Sequence, residues 1–519
     1  MANSEKRTYK NFSIGLMADS AEKDPDNIPE NAIEGLVGLE QADNAEINGM
    51  GGISKRKGSD KLNTVSYAAT CKQIEEWLKS DASVQLFAVI GTNLASIAEP
   101  GGVATTVQAL NAAAGKVFWF PTITGGADNL YFGDGSKYFV WDGTNPCAEV
   151  TPAAGADLTN VKKCHMAVYS PKSHRYFFAS LDYSWVLYSE PDEPDNVKVL
   201  SILYPGQVEG NVVGLDIFGD AVVVRFAHGG YVWRGIDPSV DVVWWPIPLK
   251  TGGFNPWDSA VVDGGLVFPG LGGVYQLGMS LLGANVTLEE SGDVVPNIAE
   301  NRVTSVIDSI LNKDIVCTVD DTVNGRIYMA YTDDTDSYAK NVKVLVNHRR
   351  NGGGFTIYTG WQVNHWCLRK NGDLLFATDN YIMKVNQDAY NDNGAAIHFK
   401  VKTKWLNLGF LGFMKKLFTT TITSQQNDNT STIDVTVSSD NGVDTVTKTG
   451  ISLNSGFIWG MIYGPVWVGT SIITKWFDSI LEAMRYQVTL ENNVVDESVD
   501  LYGLGFQFKV GKPNGERVA

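Results

Sequence analysis

Positive charge is in short supply in this chain of 519 residues: 41 Lys and Arg stand against 58 Asp and Glu, a formal net charge of −17. A protein that grips nucleic acid by its phosphates needs the opposite surplus, so that class is excluded. A surface past which a duplex slides is not excluded, because carboxylates repel phosphate; the same surplus also serves plain solubility. Cysteine is scarce too. Cys71, Cys147, Cys164, Cys317 and Cys367 form no CxxC and no metal framework, which reads as buried thiols made in a reducing compartment. The opening MANSEKRTYK has no apolar core, so no secretory signal is expected. One uncharged stretch, Gly456 to Thr474, is long enough to span a bilayer, but its four Gly, one Pro and interleaved aromatics favour strands and turns. Membrane contact is not expected.

Catalytic motifs are missing as well. The six histidines, His165, His174, His228, His348, His365 and His398, form no HExxH or other close pair. GxSxG, GxxxxGK[ST] and a strand-following GxGxxG are absent. The neighbouring acids Glu75-Glu76 and Glu289-Glu290 point to opposite faces if they lie on strands, where both are expected to be solvated. Asp388 to Gly394 offers the oxygens of Asp388, Asp392 and Asn393 but lacks the spacing and distant Glu of a calcium loop, so it reads as a turn. Asp333-Asp334-Thr335-Asp336 reads as a loop of solvated acids. No enzyme, cofactor or metal is expected.

Paired apolar runs are abundant. Ala221 to Trp233, AVVVRFAHGGYVW, is a β-branched run, a His-Gly-Gly turn and a second apolar run, the pattern of a hairpin. Similar pairs occur at Gln85 to Ile97, Asn129 to Trp141, Tyr176 to Tyr188, Gly265 to Leu277, Arg326 to Val346 and Asp373 to Val385. Their turns at Gly91, Gly135, Asp182, Gly229, Gly272, Asp336 and Asp379 are separated by 44, 47, 47, 43, 64 and 43 residues. A strand-only period near 45 residues predicts an all-β fold, a β-propeller of six or seven blades. An irregular stack of antiparallel sheets is the alternative.

Residues 1–66 differ from the repeat. They hold a strand near Lys10 to Leu16, a short helix beginning at Pro29 with Ile33, Leu36, Val37 and Glu40 at helical spacing, and a basic turn, Lys55-Arg56-Lys57. That turn is the candidate docking site for an acidic partner or DNA, or else a plain solvent-facing turn. Residues 67–395 carry the propeller. Residues 396–519 return to period-2 strands, as in TIDVTVSSDNGVDTVTKTG, and predict a β-sandwich-like domain on which the N-terminal arm packs. The 14 tryptophans, among them Trp244, Trp245, Trp361, Trp366, Trp459 and Trp467, are assigned to core positions, with turn residues free to anchor partners.

The order NFSIGL, DPDNIPENAIEGL, DNAEINGMGGISKRKG resembles the opening of a group of bacteriophage tail proteins that includes tail nozzle, tail tubular B-like and packaged-DNA stabilisation (tail hub) proteins. Cys164 to Val197, Asn211 to Asp241 and Asn391 to Phe418 resemble later segments of that group. The resemblance implies a structural virion protein, a hexameric ring below the portal and its adaptor. It would meet tail fibre or tip proteins, and retain and then conduct genome DNA through its lumen without binding it specifically. The alternative reading is a propeller that binds a receptor or glycan with loop aromatics.

Overall fold

The computed structural model describes residues 4–17, 37–49, 51–111, 115–124, 126–206, 209–247, 252–263, 265–278, 298, 302–425, 431–440, 444–453 and 472–513. Among these residues the chain is almost entirely β, with one short α-helix, Thr304–Asp308. All seven paired runs form antiparallel hairpins. Five lie in separate antiparallel sheets of three or four described strands, and the last two in larger sheets. Sheet 1 holds Cys71–Leu78, Val84–Ile90, Asn93–Ala98 and Val103–Ala109, and sheets 2, 3 and 4 begin at Phe118, Met166 and Val212. Sheet 5 has the described strands Ala260–Val262, Gly265–Gly270 and Gly273–Gly278; sheet 6 begins at Cys317 and sheet 7 at His365.

The sheets bury their faces against one another in chain order. Trp77 and Phe87 of sheet 1 pack with Phe132 and Trp141 of sheet 2, and Phe120 and Tyr138 with Tyr176 and Phe178 of sheet 3. Phe177 then meets Val222 and Trp233 of sheet 4, and Val223 meets Leu266 and Phe268 of sheet 5. Val267 shares a core with Met329 of sheet 6, and Tyr328 and Tyr358 pack on Trp366 and Phe376 of sheet 7. Leu375 and Ile382 of sheet 7 return to Ile74 and Leu86 of sheet 1. A lone hairpin cannot cover its apolar face; a series that returns to its start covers every one of them. The fold is propeller-like.

The end of the chain joins this series without a break in hydrogen bonding. Sheet 6 continues past Gly354–Thr359 through Leu39–Asp43, Phe399–Thr403, Tyr486–Asn492, Thr432–Ser439 and Thr445–Ser452 into a nine-stranded sheet. A six-stranded sheet holds the long strands Phe413–Gln425, Ile472–Ala483 and Asp500–Pro513. The two sheets share one apolar core, with Leu417, Ile422, Leu504 and Phe506 from one and Val401, Val435, Val488 and Leu490 from the other.

The N-terminal arm is distributed among these sheets. Glu5–Tyr9 and Ile53–Lys55 pair with Asp500–Pro513, whereas Gly58–Lys61 pairs with Ile382–Asn386 and becomes the fourth strand of sheet 7. The expected helix from Pro29 is corrected where it is described: Leu39–Asp43 is a strand on Phe399–Thr403. Its ladder of backbone bonds and buried Leu39 and Ala42 outweigh a helical spacing that only local residues would support. Residues 29–36, Glu289-Glu290, Trp459, Trp467 and most of Gly456 to Thr474 lie outside the described residues. No described helix is long and apolar enough to cross a membrane.

Candidate functional site

The basic turn is where the sequence placed its one candidate site, and the structure places it indoors. Lys55 and Arg56 are 0% exposed and Lys57 is half-buried. Arg56 donates from Nη1 and Nη2 to the two carboxylate oxygens of Asp392, at 3.0 and 2.5 Å, from Nε to Asn44 Oδ1 and from Nη2 to the Thr359 carbonyl. Its guanidinium lies 4.6 Å from the ring centre of Trp361. Lys55 Nζ donates to Asn492 Oδ1 and the Val494 carbonyl, both at 2.8 Å, and Lys57 Nζ to the Tyr390 hydroxyl. The solvent-facing docking cluster is therefore corrected. A buried cation persists only with its donors satisfied, and here each side chain is spent on a different part of the junction.

Two glycines of the opening motifs have steric reasons to be glycine. A Cβ on Gly58 would sit 1.8 Å from the Asn391 carbonyl oxygen, and one on Gly15, at φ +66°, 2.4 Å from that of Phe355. Phe12, three residues before Gly15, is fully buried and donates its N–H to the Gly51 carbonyl at 2.7 Å. Glu46 completes the junction with a bidentate pair to Arg326, both bonds 2.7 Å, and accepts from the Tyr358 hydroxyl. The turn at Asp388 to Gly394 belongs to the same region, since Asp392 also accepts from Ser59 and Trp361.

A second polar group, unforeseen from the sequence, gathers residues from sheets 1, 6 and 7 and from the segments before sheets 2 and 5. Glu75 and Glu76 do point to opposite faces, but neither is solvated: Glu76 holds Arg369 at 2.7 Å, and Glu75 turns toward His365, Gln73 and Lys116. Glu75 Oε1 lies 3.6 Å from His365 Nε2 and accepts from Gln73 Nε2 at 3.1 Å. Gln73, fully buried, also brackets Val117, accepting its N–H at 2.8 Å and donating to its carbonyl at 3.1 Å, which ties the entry of sheet 2 to sheet 1. Lys116 Nζ is out of contact with solvent, has no hydrogen-bond partner among the described residues and stands 5.5 Å from the ring centre of Trp257. Cys317, 1% exposed, completes the group.

Burial governs the charges here. It pushes the Glu75 carboxyl up to about 7, lowers Lys116, drives His365 well below its ordinary value and pushes the Cys317 thiol up to about 11. His365 Nδ1 faces the Ile74 carbonyl at 3.3 Å, an acceptor only, so that nitrogen carries the ring proton and Nε2 turns its lone pair toward Glu75. One proton on Glu75 relieves the opposition of two acceptors. The group can thus take up a proton near neutrality. Among the described residues no three His, Cys, Asp or Glu side chains come together as a metal site.

The remaining sequence candidates are structural. Asp333 pairs with Lys343 at 2.7 Å, and Asp334 caps the turn Thr335–Ser337. Cys71, Cys164, Cys317 and Cys367 are buried and Cys147 half-buried. Trp361 and Trp366 lie in the core between sheets 6 and 7, whereas Trp245 is 44% exposed on the last strand of sheet 4.

No family model and no curated protein matches the chain. Among solved structures it is similar to BBS1N in complex with ARL6DN, at 11% identity over 64% of this chain and 98% of that one, with a TM-score of 0.40. It is also similar to a chain of the mitotic checkpoint complex, at 11% identity over 66% and 97%, with a TM-score of 0.39. A third is hydrazine synthase of Kuenenia stuttgartiensis, at 11% over 63% and 99%, with a TM-score of 0.38.

Proposed function

We propose that this chain is a structural protein of a tailed-phage virion, a nozzle or hub ring below the portal and adaptor that retains and then conducts the genome. The supporting observation is the use made of the opening segments that carry the resemblance. Phe12, Gly15, Arg56 and Gly58 pin the sixth and seventh sheets and the C-terminal sheets together, as a part under mechanical load requires. On this reading the series of sheets is a seven-bladed propeller sealed by Gly58–Lys61, and the two C-terminal sheets form a β-sandwich-like domain. Copies assemble into a sixfold ring, and the acidic surface lets DNA pass without adhering. The role is geometric, and no turnover is expected.

Electron microscopy of assembled particles tests it. The expected result is this chain as a ring of copies on the tail axis. Its presence only as monomers in assembled tails, or its absence from particles, would sink the reading.

A further inference from the structure

The outer edges of the sheets are not treated alike. A terminal strand leaves N–H and C=O groups unpaired, and folded proteins blunt such edges with shortness, charge, proline or a covering segment. Sheets 2 and 3 end in the two-residue strands Ala148–Glu149 and Ile202–Leu203. Sheet 4 ends in Trp245–Ile247, with Pro246 at its centre. In sheet 5 the Val274 carbonyl on the last described strand accepts from Ile298 N at 2.9 Å. Sheet 6 runs on into the nine-stranded sheet, and sheet 7 continues past Gly58–Lys61 into the two-residue strands Asn391–Asp392 and Ala395–Ala396. The C-terminal edge strands carry Lys448, Lys475, Asp478 and Glu482.

Sheet 1 is the exception. It ends in Val103–Ala109, VATTVQA, seven residues with no charge, no proline and, among the described residues, no strand on their outer side. Beside it opens a cavity of about 450 Å³ between residues 64–69 and the two outer strands of the sheet, lined by Val65, Tyr67, Ala95, Gly102, Val103 and Thr106 among others. The Tyr67 hydroxyl is spent on the Gly102 carbonyl at 2.7 Å, so the wall presents mainly methyl groups and backbone. Val65 and Val103 are 75% and 61% exposed.

We propose that Val103–Ala109 is a strand-addition site that takes, as a fifth strand of sheet 1, an extended uncharged segment of another protein. Main-chain hydrogen bonds would supply affinity, and the cavity would select small or β-branched apolar side chains at alternate positions. Charge decides the chemistry of the occupant. Neither edge nor cavity carries an ionisable side chain other than the bonded Tyr67, in a chain of net charge −17. A charged segment would lose its hydration there and find no counter-charge. The site stands independently of the tail reading.

The probe is a dye-labelled, end-blocked Thr-Val-Thr-Val-Thr-Val-Thr peptide titrated with the full chain and followed by fluorescence anisotropy. A second peptide, N-methylated at alternate residues, cannot donate along one edge. Binding of the first and at least tenfold weaker binding of the second are expected. Thr106→Lys should weaken binding at least tenfold, and Thr106→Ser should leave it within twofold. If Thr106→Lys lowers the melting temperature, Thr105→Lys places the same charge on the opposite face of the edge and is read instead. Failure of the first peptide to bind, equal binding of both peptides, or indifference to the added lysine would overturn the proposal. So would a fall in the protein's own assembly mass on adding that lysine, by light scattering, since the occupant would then be a second copy.

Discussion

Arg56 and Lys116 are both cations withdrawn from water, and the protein deals with them in opposite ways. Around Arg56, at the junction, the fold supplies a carboxylate, two carbonyls, an amide oxygen and an aromatic face. Around Lys116, between the sheets, the described residues supply no hydrogen-bond acceptor, and burial pulls the amine toward its neutral form. The same contrast separates the carboxylates: Glu46 holds Arg326 in a two-bond fork, while Glu75 faces a neutral imidazole and is pushed up to about 7. A charge locked by geometry acts as a pin; a charge left to burial becomes titratable.

The largest expected break in this comparison is at the pin. Arg56→Met leaves the Asp392 carboxylate without its counter-charge and should cost about 3–5 kcal/mol, read from the urea unfolding midpoint. A loss under about 1 kcal/mol would mean that the junction does not hold the sheets together.

Next comes Glu75. Its folded value of about 7 lies above the ordinary 4.5, so the unfolded chain releases this proton first. Stability from this group is full below pH 4.5, falls as pH rises toward 7 and is flat above. Glu75→Gln should remove that slope and gain roughly 3 kcal/mol at most above neutrality. Parallel melting curves for the two proteins between pH 5 and 8.5 would contradict it.

The smallest effect is expected at Lys116. Because no partner is stranded by its removal, Lys116→Met should be neutral or stabilising by about 1 kcal/mol, in contrast to the same replacement at Arg56. Destabilisation beyond about 2 kcal/mol, by the same urea assay, would show that its amine is held after all.

The hairpins were legible in the sequence because a turn between two β-branched runs is a local signal. Gly91 and Gly135, for instance, sit in the turns where the spacing put them. The basic turn was misread for the converse reason. Lys55-Arg56-Lys57 looks like a surface cluster to any local reading, and its partners Asp392 and Asn492 lie more than 300 residues away in the chain. Glu75 was likewise placed on the correct kind of strand, facing the opposite way from Glu76, while its burial depended on His365 and Lys116 arriving from other sheets.

By itself, the sequence determined the local alphabet of this protein: strands, turns and their period, all set by short-range sterics and by alternation of apolar side chains. Tertiary structure alone decided which strand joins sheet 7 from the N-terminal arm, which charges are pinned and which titrate, and which sheet edge carries no further strand among the described residues. Those outcomes depend on pairing and desolvation between residues far apart in the chain, and no short window of residues contains both partners.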